Sequence, residues 1–306
     1  MRLISDADVS DVITMREAID AMAAAFEQFG NGSGAVARRV RATAEHRQQA
    51  AAVSMMGASL PAAGVLGAKV YSTIGGRFSF VIVLFSSVTG KPLAAIEANE
   101  ITRFRTGAAT AVAAQRLAPR EARTLALFGT GVQARAHAEA LLLTHPFERV
   151  LVAGRATAPE FADWVQTEFG VAASAVDAPT AAREADVIVT ATRATEPLFD
   201  GALVKRGAFV AAVGSSKPAA RELDDALLTR AELIVVEWLP AAQAEAGEFV
   251  RAAPGVIDPT RVTELGKLLV RGTTYDRRSG DIVVYKSVGI GLEDVALAHL
   301  VYERCS

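Results

Sequence analysis

The segment Thr124-Leu-Ala-Leu-Phe128-Gly129-Thr130-Gly131-Val132-Gln133-Ala134 constrains the fold more than any other part of this chain. An apolar run at 124–128 stops at one glycine, turns through a second, and resumes as the helix-like VQARAHAEALLL at 132–143. Another apolar run, RVLVAG, starts at Arg149. A Gly-x-Gly-x-x-Ala string alone is weak evidence, but the order strand, turn, helix, strand is the context that gives it meaning. Gly129 permits the tight turn, Gly131 lets backbone approach a diphosphate, and Ala134 packs closely on the strand. The free N–H groups and dipole of the helix start favour an anion. The reading is a dinucleotide site rather than a bare strand–helix corner, with Gly129, Thr130, Gly131, Val132 and Gln133 along the phosphates.

The end of the second strand bears on which dinucleotide. An Asp or Glu there would hold the ribose hydroxyls of NAD, but the sequence reads Val152-Ala-Gly-Arg155-Ala-Thr157. A guanidinium fork suits a 2′-phosphate. NADP(H) is therefore expected in preference to NAD(H), the alternative being that Arg155 is a solvated loop cation.

Short apolar runs continue at DVIVTAT (186–192), AFVAAVG (208–214) and LIVVE (233–237), with the amphipathic PEFADWVQTEFG (159–170) between earlier ones. Strands apolar on both sides, alternating with helices, predict a doubly wound α/β domain with a parallel sheet. The earlier runs VARRVRATAE (36–45), AAVSMMGA (51–58), VLGAKVYST (65–73) and FSFVIVLFSS (78–87) are separated by turn residues and predict a mostly antiparallel or mixed sheet. Gly90-Lys-Pro92 marks a hairpin corner before a further strand, and ITRFRTGAATAVAAQRLA (101–118) a long helix of small residues ending before Pro119. A last helix spans 288–305. The expected division is residues 1–117 plus 288–306 as one α+β domain and 118–287 as the Rossmann-type domain.

Composition narrows the partners. Net charge is −2 with both signs interspersed, which gives no reason to propose nucleic acid. Charged residues interrupt every apolar run, so no membrane span is expected, and the N-terminus does not read as a signal peptide. The single cysteine, Cys305, allows no intrachain disulfide, and a cytoplasmic setting is expected. His46, His137, His145 and His299 are scattered and read as structural; no metal site is expected.

Four stretches in order, ITRFRTGAATAVAAQRLA, FGTGVQARAHAEAL, VGSSKPAARELDDALL and VVYKSVGIGLED, resemble the ornithine cyclodeaminase and mu-crystallin family. The resemblance runs from about Arg38 to Asp294. It implies a central dinucleotide domain, a substrate and dimerisation domain built from the N-terminal part and the C-terminal helix, and a homodimer. It also implies that two arginines and a lysine hold an amino or imino acid carboxylate. The positions that match are Lys69, Arg105 and either Arg41 or Arg39, with Arg41 taken first because both share a strand face; Met56 lies on the pocket wall. Three cations on one carboxylate position the α-carbon rather than perform chemistry. The resemblance further places Arg105, Thr106, Thr190, Thr192, Val213, Gly214, Lys286 and Ser287 at the cofactor. For Thr190 and Thr192 ordinary strand propensity is the alternative.

Two chemistries divide this family. A cyclodeaminase turns ornithine into proline and ammonia and needs a carboxylate base for the amino groups. Ser216 and Ser54 stand where that branch carries its Asp and Glu. Gly214-Ser-Ser-Lys-Pro-Ala-Ala-Arg-Glu-Leu-Asp-Asp225 and Val284-Tyr-Lys-Ser287 instead resemble the ketimine reductases, which deliver hydride to a cyclic ketimine carboxylate such as Δ1-pyrroline-2-carboxylate or Δ1-piperideine-2-carboxylate. Glu237-Trp238 points toward the cyclodeaminase branch. A non-catalytic, crystallin-like protein that binds NADPH or a small ligand is the alternative of another class.

Overall fold

The computed structural model describes residues 1–46, 49–271 and 275–305. The chain divides into two compact units: Met1–Ala109, Leu269–Arg271 and Gly289–Ser306 form one, Thr110–Leu268 and Gly272–Val288 the other. The first division falls inside the small-residue helix, at Ala109, rather than after residue 117.

The first unit contains β1 (Arg2–Ile4), α1 (Asp6–Val12), α2 (Met15–Gly30), β2 (Ala35–Val36), β3 (Val40–His46), β4 (Gln49–Leu60), β5 (Val65–Ile74), β6 (Arg77–Ser86), β7 (Pro92–Glu97) and the start of α3 (Asn99–Leu117). Its sheet runs β1-β7-β6-β5-β4-β2 with β3 also on β4; among the described residues only β1 and β7 pair in parallel. This is the mixed sheet the sequence suggested. Two helices went unread, although Ser5 with Asp8 and Thr14 with Glu17 close reciprocal capping boxes at their starts. The expected 36–45 strand is broken, with residues 37–39 between β2 and β3.

Period-two alternation gives this sheet two unlike faces. Ser54, Met56, Lys69, Tyr71, Ile82 and Leu84 are buried on one, while Val53, Met55, Leu66 and Val81 are exposed on the other. The buried face is covered by α11 (Gly291–Arg304), which also packs on α2. α2 presents Met15, Ala18, Ile19, Met22 and Phe26 at helical spacing. A Cβ on Gly291 would lie 2.5 Å from the Gly57 carbonyl oxygen, so glycine lets the start of α11 press onto β4.

The second unit follows as β8 (Thr124–Phe128), α4 (Val132–Thr144), β9 (Arg149–Ala153), α5 (Ala158–Phe169), β10 (Ala172–Val176), α6 (Ala178–Glu184), β11 (Val187–Thr190), β12 (Phe209–Ala212), α7 (Asp225–Arg230), β13 (Ala231–Val236), α8 (Leu239–Glu245), α9 (Gly247–Val250), β14 (Val262–Glu264), α10 (Leu265–Leu269) and β15 (Ile282–Lys286). All its strand pairs are parallel, in the order β10-β9-β8-β11-β12-β15-β13-β14. Ala126, Phe128, Leu151, Ala153 and Ile188 pack with residues of α6 and α7 in one cluster. The alternate residues Leu125, Leu127, Val150 and Val152 are equally buried, so helices cover both faces. The strand order reverses between β8 and β11, and the carboxyl ends there are where such sheets bind ligands.

Candidate active site

The glycine turn of the second unit is shaped for a diphosphate. Gly129 sits at φ +109°, where a Cβ would come within 2.6 Å of the Ala191 carbonyl oxygen, so only glycine fits. Gly131 is different. It caps α4 at φ −83° without a side-chain cap, and a Cβ there would meet nothing within 4 Å. Open space thus fronts uncapped helix N–H groups, the cradle an anion needs. Thr130 bonds to Thr157 hydroxyl to hydroxyl at 2.7 Å, Val132 is exposed, and Gln133 lends its carbonyl to His137 Nδ1. His137 also meets the Thr110 hydroxyl at 2.9 Å and is fully buried, in keeping with a structural role. Arg155 is exposed at the end of β9, and its carbonyl accepts from Ala158 N–H at the start of α5.

The neighbouring strand ends are tied by an acid that the sequence reading did not single out. Glu222, fully buried, accepts from the Thr190 hydroxyl, the Thr192 hydroxyl and N–H, and the Gly214 N–H at 2.7–2.8 Å. Thr190 and Thr192 therefore spend their hydroxyls on this carboxylate, which fixes the backbone after β11 and β12. Val213 N–H donates to the Thr190 carbonyl. Glu222 N–H in turn donates to Glu248, whose carboxylate faces Lys286 at 3.1 Å. Lys286, buried, donates to the Ser215 carbonyl, and Ser287 donates to Glu237. Glu237 also accepts from Val288 N–H at 2.9 Å and faces the Tyr285 hydroxyl. The acid that pointed toward the cyclodeaminase branch is a buried tie between β13 and β15.

The first unit gathers the expected cations. Lys69 on β5 donates to Asp294 Oδ1 at 2.7 Å. Arg105 on α3 meets Glu293 Oε2 at 2.7 Å and Asp294 Oδ1 at 3.5 Å. Burial lowers the Lys69 pKa to about 8; the Asp294 carboxylate opposes that shift, while the Arg105 and Arg39 charges add to it. Arg39 donates to the Gly289 carbonyl at 3.0 Å and approaches Met56 Sδ at 3.5 Å. Of the two candidate arginines, Arg39 is the one whose charge bears on Lys69. Arg41 lies on the same face but reaches the Ser54 hydroxyl at 2.9 Å and the Tyr71 hydroxyl at 3.4 Å. Arg39 lies in the irregular residues between β2 and β3, beside Met56. Thr106 donates within its helix to the Thr102 carbonyl.

Glu293 and Asp294 were read only as helix residues, and both are fully buried. Two adjacent acids at the start of a helix suit its dipole, and that alone hides their second task of neutralising cations from β5 and α3. Asp294 Oδ2 is buried and accepts no hydrogen bond among the described residues. No group of His, Cys, Asp and Glu able to hold a metal occurs among the described residues, and none of their helices is long and apolar enough to cross a membrane.

The doubly wound parallel sheet with its glycine turn is the fold of an NAD(P)-dependent oxidoreductase. The chain belongs to the ornithine cyclodeaminase/mu-crystallin family, whose pattern it matches over residues 2–306. It is 32% identical to a Δ1-pyrroline-2-carboxylate reductase of Bacillus cereus, over 99% of this chain and 96% of that one. Its structure is similar to a probable ornithine cyclodeaminase of Bordetella pertussis Tohama I (TM-score 0.95, 44% identity, covering 100% and 97% of the two chains). It is also similar to the Δ1-pyrroline-2-carboxylate reductase of Thermococcus litoralis in complex with NADH and L-proline (TM-score 0.92, 30% identity, 100% and 97% covered).

Proposed function

We propose that this protein reduces the C=N bond of a cyclic ketimine carboxylate of the Δ1-pyrroline-2-carboxylate type to the cyclic L-amino acid. The observation that carries the reading is the cluster of Lys69, Arg105 and Arg39 braced by Asp294 and Glu293. When bound, the nicotinamide cofactor supplies the hydride. The chain's own groups do the rest. The three cations hold the substrate carboxylate and fix which face of the imine carbon is presented. Asp294 Oδ2, an acceptor without a partner among the described residues, suits an iminium N–H. Lys69 Nζ, with its pKa near 8, can hold or release a proton close to neutrality.

The cyclodeaminase alternative lacks support at the two places it needs a base. Ser216 is a serine, and Ser54 is buried with its hydroxyl accepting from Arg41. Glu237 is engaged elsewhere.

NADP(H) is the preferred cofactor in this reading, because exposed Arg155 at the end of β9 is available to a 2′-phosphate. A homodimer belongs to this reading, supported by the outer face of the first unit's sheet, where Val40, Met55, Val70 and Val81 form one apolar row across four strands. The lone Cys305 supports a cytoplasmic setting.

The test is NADPH oxidation with Δ1-pyrroline-2-carboxylate, run beside NADH and beside ornithine. Loss of NADPH absorbance with the imine, faster than with NADH, is the expected result. Proline and ammonia from ornithine without net cofactor change would replace this reading with the cyclodeaminase one.

A further inference from the structure

We propose that the buried carboxylate of Glu222, an anion that remains after Glu248 and Lys286 neutralise one another, favours the oxidised, positively charged nicotinamide over the reduced one. The inference rests on the reductase reading and names a residue that promotes its hydride step by charge rather than by contact.

Strand order gives the nicotinamide its half of the sheet. The glycine turn follows β8, and Arg155, the candidate for a 2′-phosphate, stands at the end of β9. In a doubly wound sheet the two mononucleotide halves lie on either side of the switch point. With the adenosine half over β8 and β9, the nicotinamide half belongs over the carboxyl ends of β11, β12 and β15.

Glu222 is fixed at those ends. Its Oε1 accepts from the Thr192 N–H and hydroxyl, and its Oε2 from the Thr190 hydroxyl and the Gly214 N–H. A group that takes two donors on each oxygen is a carboxylate, since a carboxylic acid must donate from one of them. A Cβ at Gly214 would strike this carboxylate, so glycine lets it lie against the backbone that leaves β12. A Cβ at Gly247 would strike the Ala220 carbonyl oxygen. Glycine there lets the start of α9 press on the segment before Glu222, and Glu248 accepts the Glu222 N–H at 2.8 Å.

Charge does not balance in this cluster. Lys286 faces Glu248 at 3.1 Å, both buried, and a pair so close is nearly neutral at a distance. The flanking arginines are engaged, Arg221 with Asp225 at 2.6 Å and Arg251 with Glu196 at 2.9 Å. No cation pairs with Glu222 among the described residues, so one buried negative charge is held by hydrogen bonds alone. Salt screens a buried charge far less than an exposed one.

The hydride step creates the charge that Glu222 complements. Hydride passes from the dihydronicotinamide carbon to the iminium carbon, the C=N π pair ends on nitrogen, and the ring is left cationic. An anion fixed beforehand stabilises that developing charge without reorganisation. It also tightens the oxidised dinucleotide relative to the reduced one. A unit charge acting over about 10 Å at an effective dielectric of about 20 alters such a ratio on the order of tenfold.

The experiment measures Kd for NADP+ and NADPH, and for NAD+ and NADH, by titration calorimetry with no imine present. Glu222→Gln and Glu248→Gln each remove a negative charge, Lys286→Gln removes the positive one, and Glu248→Gln combined with Lys286→Gln leaves the net charge unaltered. The ratio of reduced to oxidised Kd should fall about tenfold in Glu222→Gln, fall in Glu248→Gln, rise in Lys286→Gln and stay within about twofold in the double variant. Any one folded charge-changing variant decides the sign, because a carboxylate that only ties strand ends would weaken both forms alike. In turnover, Glu222→Gln should lower kcat for imine reduction with little change in imine KM. An unaltered Kd ratio in Glu222→Gln, with imine still reduced, would overturn the charge assignment alone. A wild-type chain that binds both forms but reduces no imine would overturn the reductase reading, and one that binds neither would overturn both.

Discussion

Lys69 Nζ lies 2.7 Å from Asp294 Oδ1, with the lysine side chain 2% exposed and the aspartate fully buried. The two residues are 225 positions apart in the chain. Their pairing joins the middle of β5 to the first turn of α11, and the first unit's candidate substrate site is built on it.

Replacing Asp294 by Asn leaves Lys69 buried without its nearest counter-charge. Breaking one side of a buried pair costs about 3–5 kcal/mol, so urea unfolding should show a loss of that order. Imine reduction should fall further than Glu293→Gln lowers it, because Asp294 contacts both Lys69 and Arg105. Equal effects of the two substitutions on kcat/KM would assign Asp294 a purely structural part.

The pH dependence has a definite sign. Lys69 is held at about 8, below its ordinary value of 10.5, mainly by burial. Its cationic form, needed by the carboxylate clamp, is present below about pH 8 and lost above it. Affinity for L-proline or another carboxylate ligand should therefore weaken as pH rises through 8, and Lys69→Arg should remove that inflection. Stability moves the other way. Between the folded and unfolded values the unfolded chain binds more protons, so this group makes unfolding free energy rise with pH across that window.

The two glycines of the turn should separate folding from binding. Gly129→Ala meets the Ala191 carbonyl oxygen and a positive φ, and should cost about 1–3 kcal/mol in melting experiments. Gly131→Ala has room for its methyl group and an ordinary φ, so the melting temperature should stay within a degree or two. Dinucleotide affinity should nonetheless drop, because the methyl occupies the space in front of the α4 N-terminus. Unchanged affinity in Gly131→Ala would place the diphosphate elsewhere.

Glu222→Gln should loosen the strand ends beside the turn. The carboxylate accepts four hydrogen bonds, and a carboxamide turns an N–H toward donors. A loss of about 1.5–3 kcal/mol is expected, with faster hydrogen exchange at Thr192 and Gly214 as the local readout.

Charge on the outer sheet face should dissociate the proposed dimer. Met55→Glu with Val81→Glu puts two carboxylates in the apolar row of the first unit. Light scattering after gel filtration should change from dimer to monomer mass. A wild-type chain already monomeric at micromolar concentration would exclude this face as the interface.

Local chemistry made much of this legible. TLALF at 124–128 coincides with β8, since a strand buried on both faces must be apolar throughout. VQARAHAEALLL lies within α4, and the glycine turn joins them. The capping boxes at Ser5 and Thr14 were equally readable but sat outside the strand-like segment that drew attention. Arg39 and Arg41 reach the buried β4 residues Met56 and Ser54, although Arg39 lies before β3 and outside its two-residue period. Which of them stands beside Lys69 followed from the break at residues 37–39, and a two-residue period carries no information about breaks.

The sequence by itself determined the doubly wound unit and the glycine turn, because each rests on interactions among residues close along the chain, while the candidate cations came from the family resemblance. Only the tertiary structure decided what those cations face. Glu293 and Asp294 neutralise Arg105 and Lys69, Glu222 ties Thr190 to Gly214, and Arg41 bonds to the Ser54 and Tyr71 hydroxyls. A buried charge must find its partner through space, and the partner's distance along the chain leaves no periodic mark in the sequence.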